Sequence, residues 1–203
     1  MDRDLKERII KKASELFVLN GIRAVTMDYI ASQMGISKRT LYEQFNDKDT
    51  LLLEVLKDTE NRKLRESEEI AASCNNSLEI FLKVYRKFLQ ELRRTNRNYF
   101  RDLKRYHPNV ASFFEARKAE SIRNNIQLTE KGIAEGLIRP ELNPEILSLL
   151  LQAQFEILVC SDIIDTNRFT FTEVFETIVM NYARGIVTSK GMKLIEEFEN
   201  TWK

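Results

Sequence analysis

Basic, hydroxyl and amide side chains are concentrated in one short run, SKRTLYEQF, at residues 37–45. Lysine and arginine bind phosphates, arginine also binds guanine edges, and hydroxyl and amide groups hydrogen bond to both phosphates and bases. Leu41 and Phe45 lie four residues apart, so a helix over Lys38 to Gln44 buries one apolar side and leaves the polar side chains outward. This run therefore predicts a helix that binds nucleic acid.

A second short helix and a tight turn are predicted immediately before this run, and both would position it. The hydroxyl of Thr26 can cap the first turn of the earlier helix. Gly35 follows that helix, and glycine tolerates the positive φ that such a turn demands. Ser37 can cap the next helix. One face of the earlier helix carries apolar residues at helical spacing: Met27, Ile30, Ala31 and Met34. Two short helices joined in this way predict a helix-turn-helix, whose second helix can enter the major groove of DNA.

At these residues the chain resembles the TetR family of bacterial transcriptional regulators. The resemblance covers about the first quarter of the chain and includes Ile9, Ala13, Leu16, Phe17, Asn20, Gly21, Thr26, Ile30, Ala31, Gly35, Ser37, Thr40, Leu41, Tyr42, Phe45, Lys48 and Leu51. It implies an all-α fold with an N-terminal three-helix helix-turn-helix DNA-binding head at residues 1–50. Residues 51–203 would form a C-terminal helical body for ligand binding and dimerisation.

The resemblance also implies which side chains bind DNA. The eight candidates are Thr26, Ser37, Lys38, Arg39, Thr40, Tyr42, Gln44 and Lys48. Residues 37–40 would read base edges, with Arg39 on guanine because its planar guanidinium can bond two acceptors. The other four would bind phosphates. The alternative for each candidate is an exposed polar side chain without a DNA partner. Glu43 repels phosphate, so we expect it to point away from DNA or to pair with a nearby cation.

Charge alone does not identify a nucleic-acid-binding protein. The formal net charge is +1, and residues 1–50 contain nine Lys and Arg against eight Asp and Glu. DNA binding by this head therefore depends on where a few cations lie rather than on a large positive field.

The rest of the chain is predicted to be helical. A helix beginning at Asp47 or Lys48 would connect head and body, and the later helices are expected at about 78–94, 96–106, 109–135, 145–164 and, last, 172–189. The helix at 145–164 is apolar around most of its girth, so it must be covered on two sides. We expect the body core on one side and a second copy of the chain on the other. The predicted homodimer interface consists of Leu149, Leu150, Ala153, Ile157, Val174, Phe175, Ile178 and Tyr182. The alternative is that both helices form the core of a monomer.

Two further groups of residues could bind ligands. In the segments that line the effector pocket of the family, the chain has Phe81, Tyr85, Phe88, Tyr99, Phe100, Tyr106, Phe113 and Phe114. A mostly apolar pocket is one interpretation, and ordinary core packing is the other. The segment Lys83 to Arg105 contains nine Lys and Arg against Glu91 and Asp102. It is either an anion site or the solvated outer face of two helices.

The remaining motifs argue against catalysis and metal binding, and we expect no cofactor. His107 is the only histidine, and Cys74 and Cys160 show no metal-binding spacing, so both are expected to be reduced thiols. The N-terminus lacks a signal peptide and no apolar run reaches the about 20 residues of a membrane span, so we expect a cytoplasmic protein with no membrane partner.

The sequence thus predicts a ligand-responsive transcriptional repressor that binds a two-fold-symmetric, double-stranded DNA operator as a homodimer and is released by a small-molecule effector of unidentified class. The alternative is a helical protein-interaction adaptor whose helix-turn-helix is purely structural.

Overall fold

The computed structural model describes residues 3–96, 98–160 and 168–202, which form ten α-helices. They are α1 (Arg3–Asn20), α2 (Met27–Met34), α3 (Lys38–Gln44), α4 (Lys48–Ala72), α5 (Ser77–Leu92), α6 (Tyr99–Tyr106), α7 (Pro108–Ala134), α8 (Pro144–Cys160), α9 (Phe171–Ile186) and α10 (Ser189–Trp202). The all-α prediction is confirmed. None of the helices in the described ranges is long and apolar enough to cross a membrane.

Side-chain caps define where several helices begin. Ser37 caps α3, Asn76 caps α5 and Thr170 caps α9, each by accepting a hydrogen bond from a backbone N–H of the first turn. At α9 the Glu173 side chain also accepts a hydrogen bond from the Thr170 N–H, which completes a capping box. Because these bonds satisfy N–H groups that have no partner inside the helix, the cap residues set the helix starts.

The described residues pack into two compact units. The head unit consists of residues up to 66 and residues 94–116, and the body unit consists of residues 67–93 and those from 117 onward. The head unit therefore includes α6 as well as the three N-terminal helices. The boundary predicted after residue 50, between a DNA-binding domain and an effector-binding domain, stays a prediction. The compact units have other bounds because they are defined by packing.

The head unit is held together by one apolar core. α1 packs on α2 and α6, and α2 packs on α3. The side chains of Phe17, Ile30, Leu41 and Phe45 are essentially inaccessible to solvent and belong to this core. Burying a side chain of this size contributes about 1.5–3 kcal/mol. The core thus fixes the orientation of α3 through Leu41 and Phe45.

In the body unit, α5 packs on α9 and α10, and α9 packs on α8. The sequence analysis did not predict α10. Its third residue, Gly191, permits close packing, because a Cβ there would lie 2.4 Å from the Leu137 carbonyl oxygen. Ile195 is completely buried on the inner side of α10. The helix is therefore stabilised by tertiary contacts rather than by its local sequence.

Candidate nucleic-acid interface

The turn between α2 and α3 depends on Gly35. Its φ of 64° lies in the left-handed region, which side chains on L residues disfavour by roughly 1–2 kcal/mol. Its N–H donates to the Ser32 carbonyl at 3.1 Å, and the N–H of Ile36 donates to the Ala31 carbonyl at 3.1 Å. These bonds close the end of α2 and direct the chain into α3.

The recognition helix α3 begins at a hydroxyl cap. Ser37 Oγ accepts a hydrogen bond from the Thr40 N–H at 3.0 Å and lies 2.8 Å from Thr40 Oγ1. Leu41 and Phe45 anchor the opposite side of the helix in the head core. The outward side carries Lys38, Arg39 and Tyr42, which are 66%, 89% and 47% exposed. The structure therefore places these candidates where a double helix can reach them.

We expect Ser37→Ala to lower the free energy of unfolding by about 1 kcal/mol, because the Thr40 N–H loses its acceptor at the start of α3. Urea denaturation of the full chain measures this loss. Ser32→Ala, an exposed position inside α2, is the matched control and should change stability by less than about 0.5 kcal/mol. Equal losses in the two variants would contradict the capping role of Ser37.

Both cations at the start of α3 are paired with carboxylates of the head. Lys38 Nζ lies 2.5 Å from Asp28 Oδ2 of α2, and Arg39 Nε lies 2.9 Å from Glu43 Oε1, four residues later in α3. Glu43 thus adopts one of the two arrangements expected for it. Exposed ion pairs of this kind contribute only about 0–1 kcal/mol each, so DNA can compete for both cations.

Two of the predicted phosphate ligands are turned towards the protein. Lys48 Nζ donates to the Ile22 carbonyl oxygen at 2.5 Å and lies 5.8 Å from the centre of the Phe17 ring. Partial burial lowers the pKa of Lys48, although the nearby carboxylates of Asp102 and Asp49 oppose this shift. Gln44 Oε1 is buried without a hydrogen-bond partner among the described groups. Lys48 is therefore bonded to the head backbone, and the Gln44 amide oxygen is not accessible to solvent.

Thr26 also has a structural role. Its Oγ1 accepts a hydrogen bond from the Tyr29 N–H at 3.1 Å and so caps α2. Tyr29 is 40% exposed on the same helix. Asp28 and Tyr29 were not identified from the sequence. Asp28 and Lys38 belong to two different helices, so only the folded turn between these helices brings the two side chains together.

Residues of α6 hold the loop that leads into α2. The N–H of Arg23 donates to Asp102 Oδ2 at 2.9 Å, and Asp102 is 5% exposed. The guanidinium of Arg23 donates to the Tyr106 hydroxyl at 3.1 Å and lies 4.9 Å from its ring. His107 Nδ1 lies 2.5 Å from Asp49 Oδ1. The sole histidine thus belongs to a hydrogen-bonded network of the head.

The predicted effector residues are divided between the head unit and the body unit. Tyr99, Phe100 and Phe113 belong to or pack against the head core, and burial raises the pKa of Tyr99 to about 12. Tyr106 is exposed on the head and bonded to Arg23. The side chain of Phe114 lies outside the described part of the structure. Residues 94–116 belong to the head unit, and the role of these aromatics in effector binding stays a prediction.

The other three predicted aromatics form a cluster in the body unit. The ring of Tyr85 lies 4.4 Å from that of Phe81 and 5.7 Å from that of Phe155, and Phe88 lies 5.1 Å from Phe175. Tyr182 packs on Phe81 at 5.7 Å. Burial raises the pKa of the Tyr85 hydroxyl, which must stay protonated in this environment. Phe155 was not among the predicted aromatic residues, because only the packing of the helices brings it next to Tyr85 of α5.

The predicted dimer residues divide into exposed and buried sets. On α8, Leu149, Leu150 and Ile157 are 50%, 54% and 46% exposed, and Ala153 is also exposed. On α9, Val174 and Ile178 are partly exposed. Phe175 and Tyr182 are instead buried, at 2% and 8% exposure, in the aromatic cluster of their own chain. These two residues therefore have almost no surface to offer a partner.

The basic segment Lys83 to Arg105 is divided between the units, with the residues up to 93 in the body and the rest in the head. Lys83 lies 2.7 Å from Glu79, whose carboxylate raises the pKa of this lysine. Arg101 donates to Asn98 Oδ1 at 2.6 Å. The contacts of Lys83 and Arg101 are thus each made within one unit. Within the described ranges, the structure brings no three His, Cys, Asp or Glu residues together as a metal site.

Comparison with known proteins identifies the head. A model of "Bacterial regulatory proteins, tetR family" matches residues 9–55, which include α2 and α3. Residues 9–55 therefore form a helix-turn-helix head of the TetR type. It is 23% identical over 147 residues to the HTH-type transcriptional repressor KstR2 of Mycolicibacterium smegmatis, a match that covers 70% of this chain and 71% of that protein. It is 50% identical over 48 residues to the uncharacterized HTH-type transcriptional regulator YerO of Bacillus subtilis, or 24% and 17% of the two chains.

The similarity in fold extends well beyond the head. The crystal structure of a putative transcriptional regulator from Saccharomonospora viridis in complex with choline superposes with a TM-score of 0.74, at 16% identity. The match covers 91% of this chain and 98% of that one. The chain therefore combines a TetR-type helix-turn-helix head with a helical body of the same fold as this structure.

Proposed function

We propose that this TetR-family regulator is a homodimeric repressor that binds a two-fold-symmetric operator and releases it when a small molecule binds the body. The single observation that carries DNA recognition is the outward presentation of α3. Its Ser37 cap and buried Leu41 fix the helix, while Arg39 projects into solvent. A rigid, exposed helix of this kind suits the major groove, where arginine can bond guanine through two acceptors.

An apolar surface on α8 supports dimerisation. Ile146, Leu149, Leu150 and Ile157 are each about half exposed on this helix. Large side chains exposed together on one helix mark a protein interface more often than isolated ones do. A second copy of the chain is the natural occupant, because a dimer places two α3 helices on one operator. We call these four residues the α8 surface.

The aromatic cluster of the body supports effector binding. It joins residues of α5, α8 and α9 around Tyr85 and Phe175. Apolar and aromatic walls with a few polar groups are the usual lining of small-molecule sites. The relative from Saccharomonospora viridis holds choline. A ligand regulates DNA binding here only if it has different affinities for the DNA-bound and free conformations.

Arg39→Ala tests the DNA-binding surface. We expect a loss of about 1–3 kcal/mol per bidentate base contact and a relaxed base preference at the contacted position. The measurement is fluorescence anisotropy with an operator selected from random sequences, repeated with each single base change. Arg65→Ala is the matched control. Arg65 lies on α4 about 25 Å from Lys48 along the helix axis, so it should not contact the duplex. Unchanged affinity and base preference in Arg39→Ala would support the structural adaptor instead.

A further inference from the structure

The helix-turn-helix segment itself has no net charge. Residues 26–48 contain three cations, Lys38, Arg39 and Lys48, against three acids, Asp28, Glu43 and Asp47. Sequence-independent DNA binding is driven by neutralisation of phosphates and by release of their counterions. The proteins that depend most on this effect have a surplus of positive charge, which this segment lacks. The arrangement of its six charges therefore decides how it meets DNA.

The three acids have different partners. Asp28 and Glu43 are paired with the two cations that project from the start of α3. Asp47 instead accepts a hydrogen bond from the Thr50 N–H at 2.7 Å, which caps α4. Two of the carboxylates thus lie on the DNA-facing cations, whereas the third is bonded to the backbone.

The cations themselves are accessible. Arg39 is 89% exposed and Lys38 is 66% exposed, so each pair lies in water rather than in the protein interior. A pair of this kind is weak enough to exchange one anionic partner for another. A DNA phosphate and a side-chain carboxylate offer the same chemistry to a guanidinium or an ammonium group.

We propose that Asp28 and Glu43 act as internal competitors of DNA: their carboxylates occupy Lys38 and Arg39 and must be displaced before these cations bind the duplex. This inference rests on the proposed DNA-binding function. The two acids lower the affinity for any duplex, because each contact with phosphate or base requires a pair to open. They also reduce the number of counterions released on sequence-independent binding, which makes its salt dependence shallow.

Neutral, nearly isosteric variants test the proposal. Asp28→Asn and Glu43→Gln should each tighten binding to a duplex of scrambled sequence by about three- to tenfold. The log–log salt slope between about 50 and 200 mM should steepen by about 0.9 for each additional phosphate that the variant neutralises. The full-length chain is titrated by fluorescence anisotropy against the scrambled duplex and against the selected operator. Asp47→Asn removes the same charge from the same segment while asparagine keeps the helix cap, so it measures the general field effect.

A double-mutant cycle separates competition from simple repulsion of phosphates. In an Arg39→Ala background, Glu43→Gln should no longer tighten binding beyond the Asp47→Asn control, because its carboxylate has no cation to release. The same holds for Asp28→Asn in a Lys38→Ala background. Equal effects with and without the cation, or effects equal to those of Asp47→Asn, would overturn the proposal alone. No binding of either duplex by any variant would overturn DNA binding as well.

Discussion

Replacing Leu149 and Leu150 together with aspartate should separate the proposed dimer and abolish operator binding. Both residues are about half exposed on the α8 surface. A two-fold interface contains each residue twice, so the double variant introduces four carboxylates into one apolar contact. Burial of one leucine contributes about 1.5–3 kcal/mol, and the dimer dissociation constant should therefore rise by at least about a hundredfold.

Sedimentation velocity measures the oligomeric state of this variant, and anisotropy measures its affinity for the operator. Leu19→Asp with Leu64→Asp is the matched control, because both leucines are exposed on the head unit, at 63% and 45%. The control should keep the dimer. A Leu149→Asp, Leu150→Asp chain that remains dimeric at micromolar concentration would show that the α8 surface is not the interface.

Asp102→Ala should destabilise the head unit by about 2–4 kcal/mol. The substitution leaves the N–H of Arg23 without its acceptor and removes a buried carboxylate that offsets the partly buried charge of Lys48. Loss of one partner from a buried polar pair has an effect of this size. Urea denaturation gives the change in unfolding free energy, and the loop before α2 should become more susceptible to proteolysis.

Asp102→Asn serves as the control for this second variant. Its amide oxygen can still accept a hydrogen bond from the Arg23 N–H, so only the charge contribution is lost. The decrease in unfolding free energy should therefore be about half of that for Asp102→Ala. If the free energy of unfolding of Asp102→Ala is within about 0.5 kcal/mol of that of the unchanged chain, α6 does not hold the loop before α2.

Local sequence was sufficient to predict the helix-turn-helix. The caps at Thr26 and Ser37 and the left-handed turn at Gly35 act over at most five residues, and Leu41 and Phe45 are spaced to lie on one face of a helix. Interactions at this range depend on residue order and backbone geometry alone. Local sequence did not predict α10. Its Gly191 is in close contact with Leu137, which is far away in the sequence.

The aromatic residues show the limit of such reasoning. Phe88 and Tyr99 are close in sequence and share a pattern of apolar spacing, yet one packs on Phe175 in the body and the other lies in the head core. Helical periodicity predicts that a side chain is buried. It does not predict which neighbouring helix covers that side chain, because this depends on how the helices pack.

Residue order was enough to indicate the helical class, the helix-turn-helix and the resemblance of the head to the TetR family. These properties follow from short-range periodicity, capping and turn chemistry. Only the tertiary structure decided that Lys48 bonds to the Ile22 carbonyl and that Asp28 pairs with Lys38. The partners of a long charged side chain are chosen by distance in space, and residues 10 or 26 positions apart become neighbours only after the core has packed.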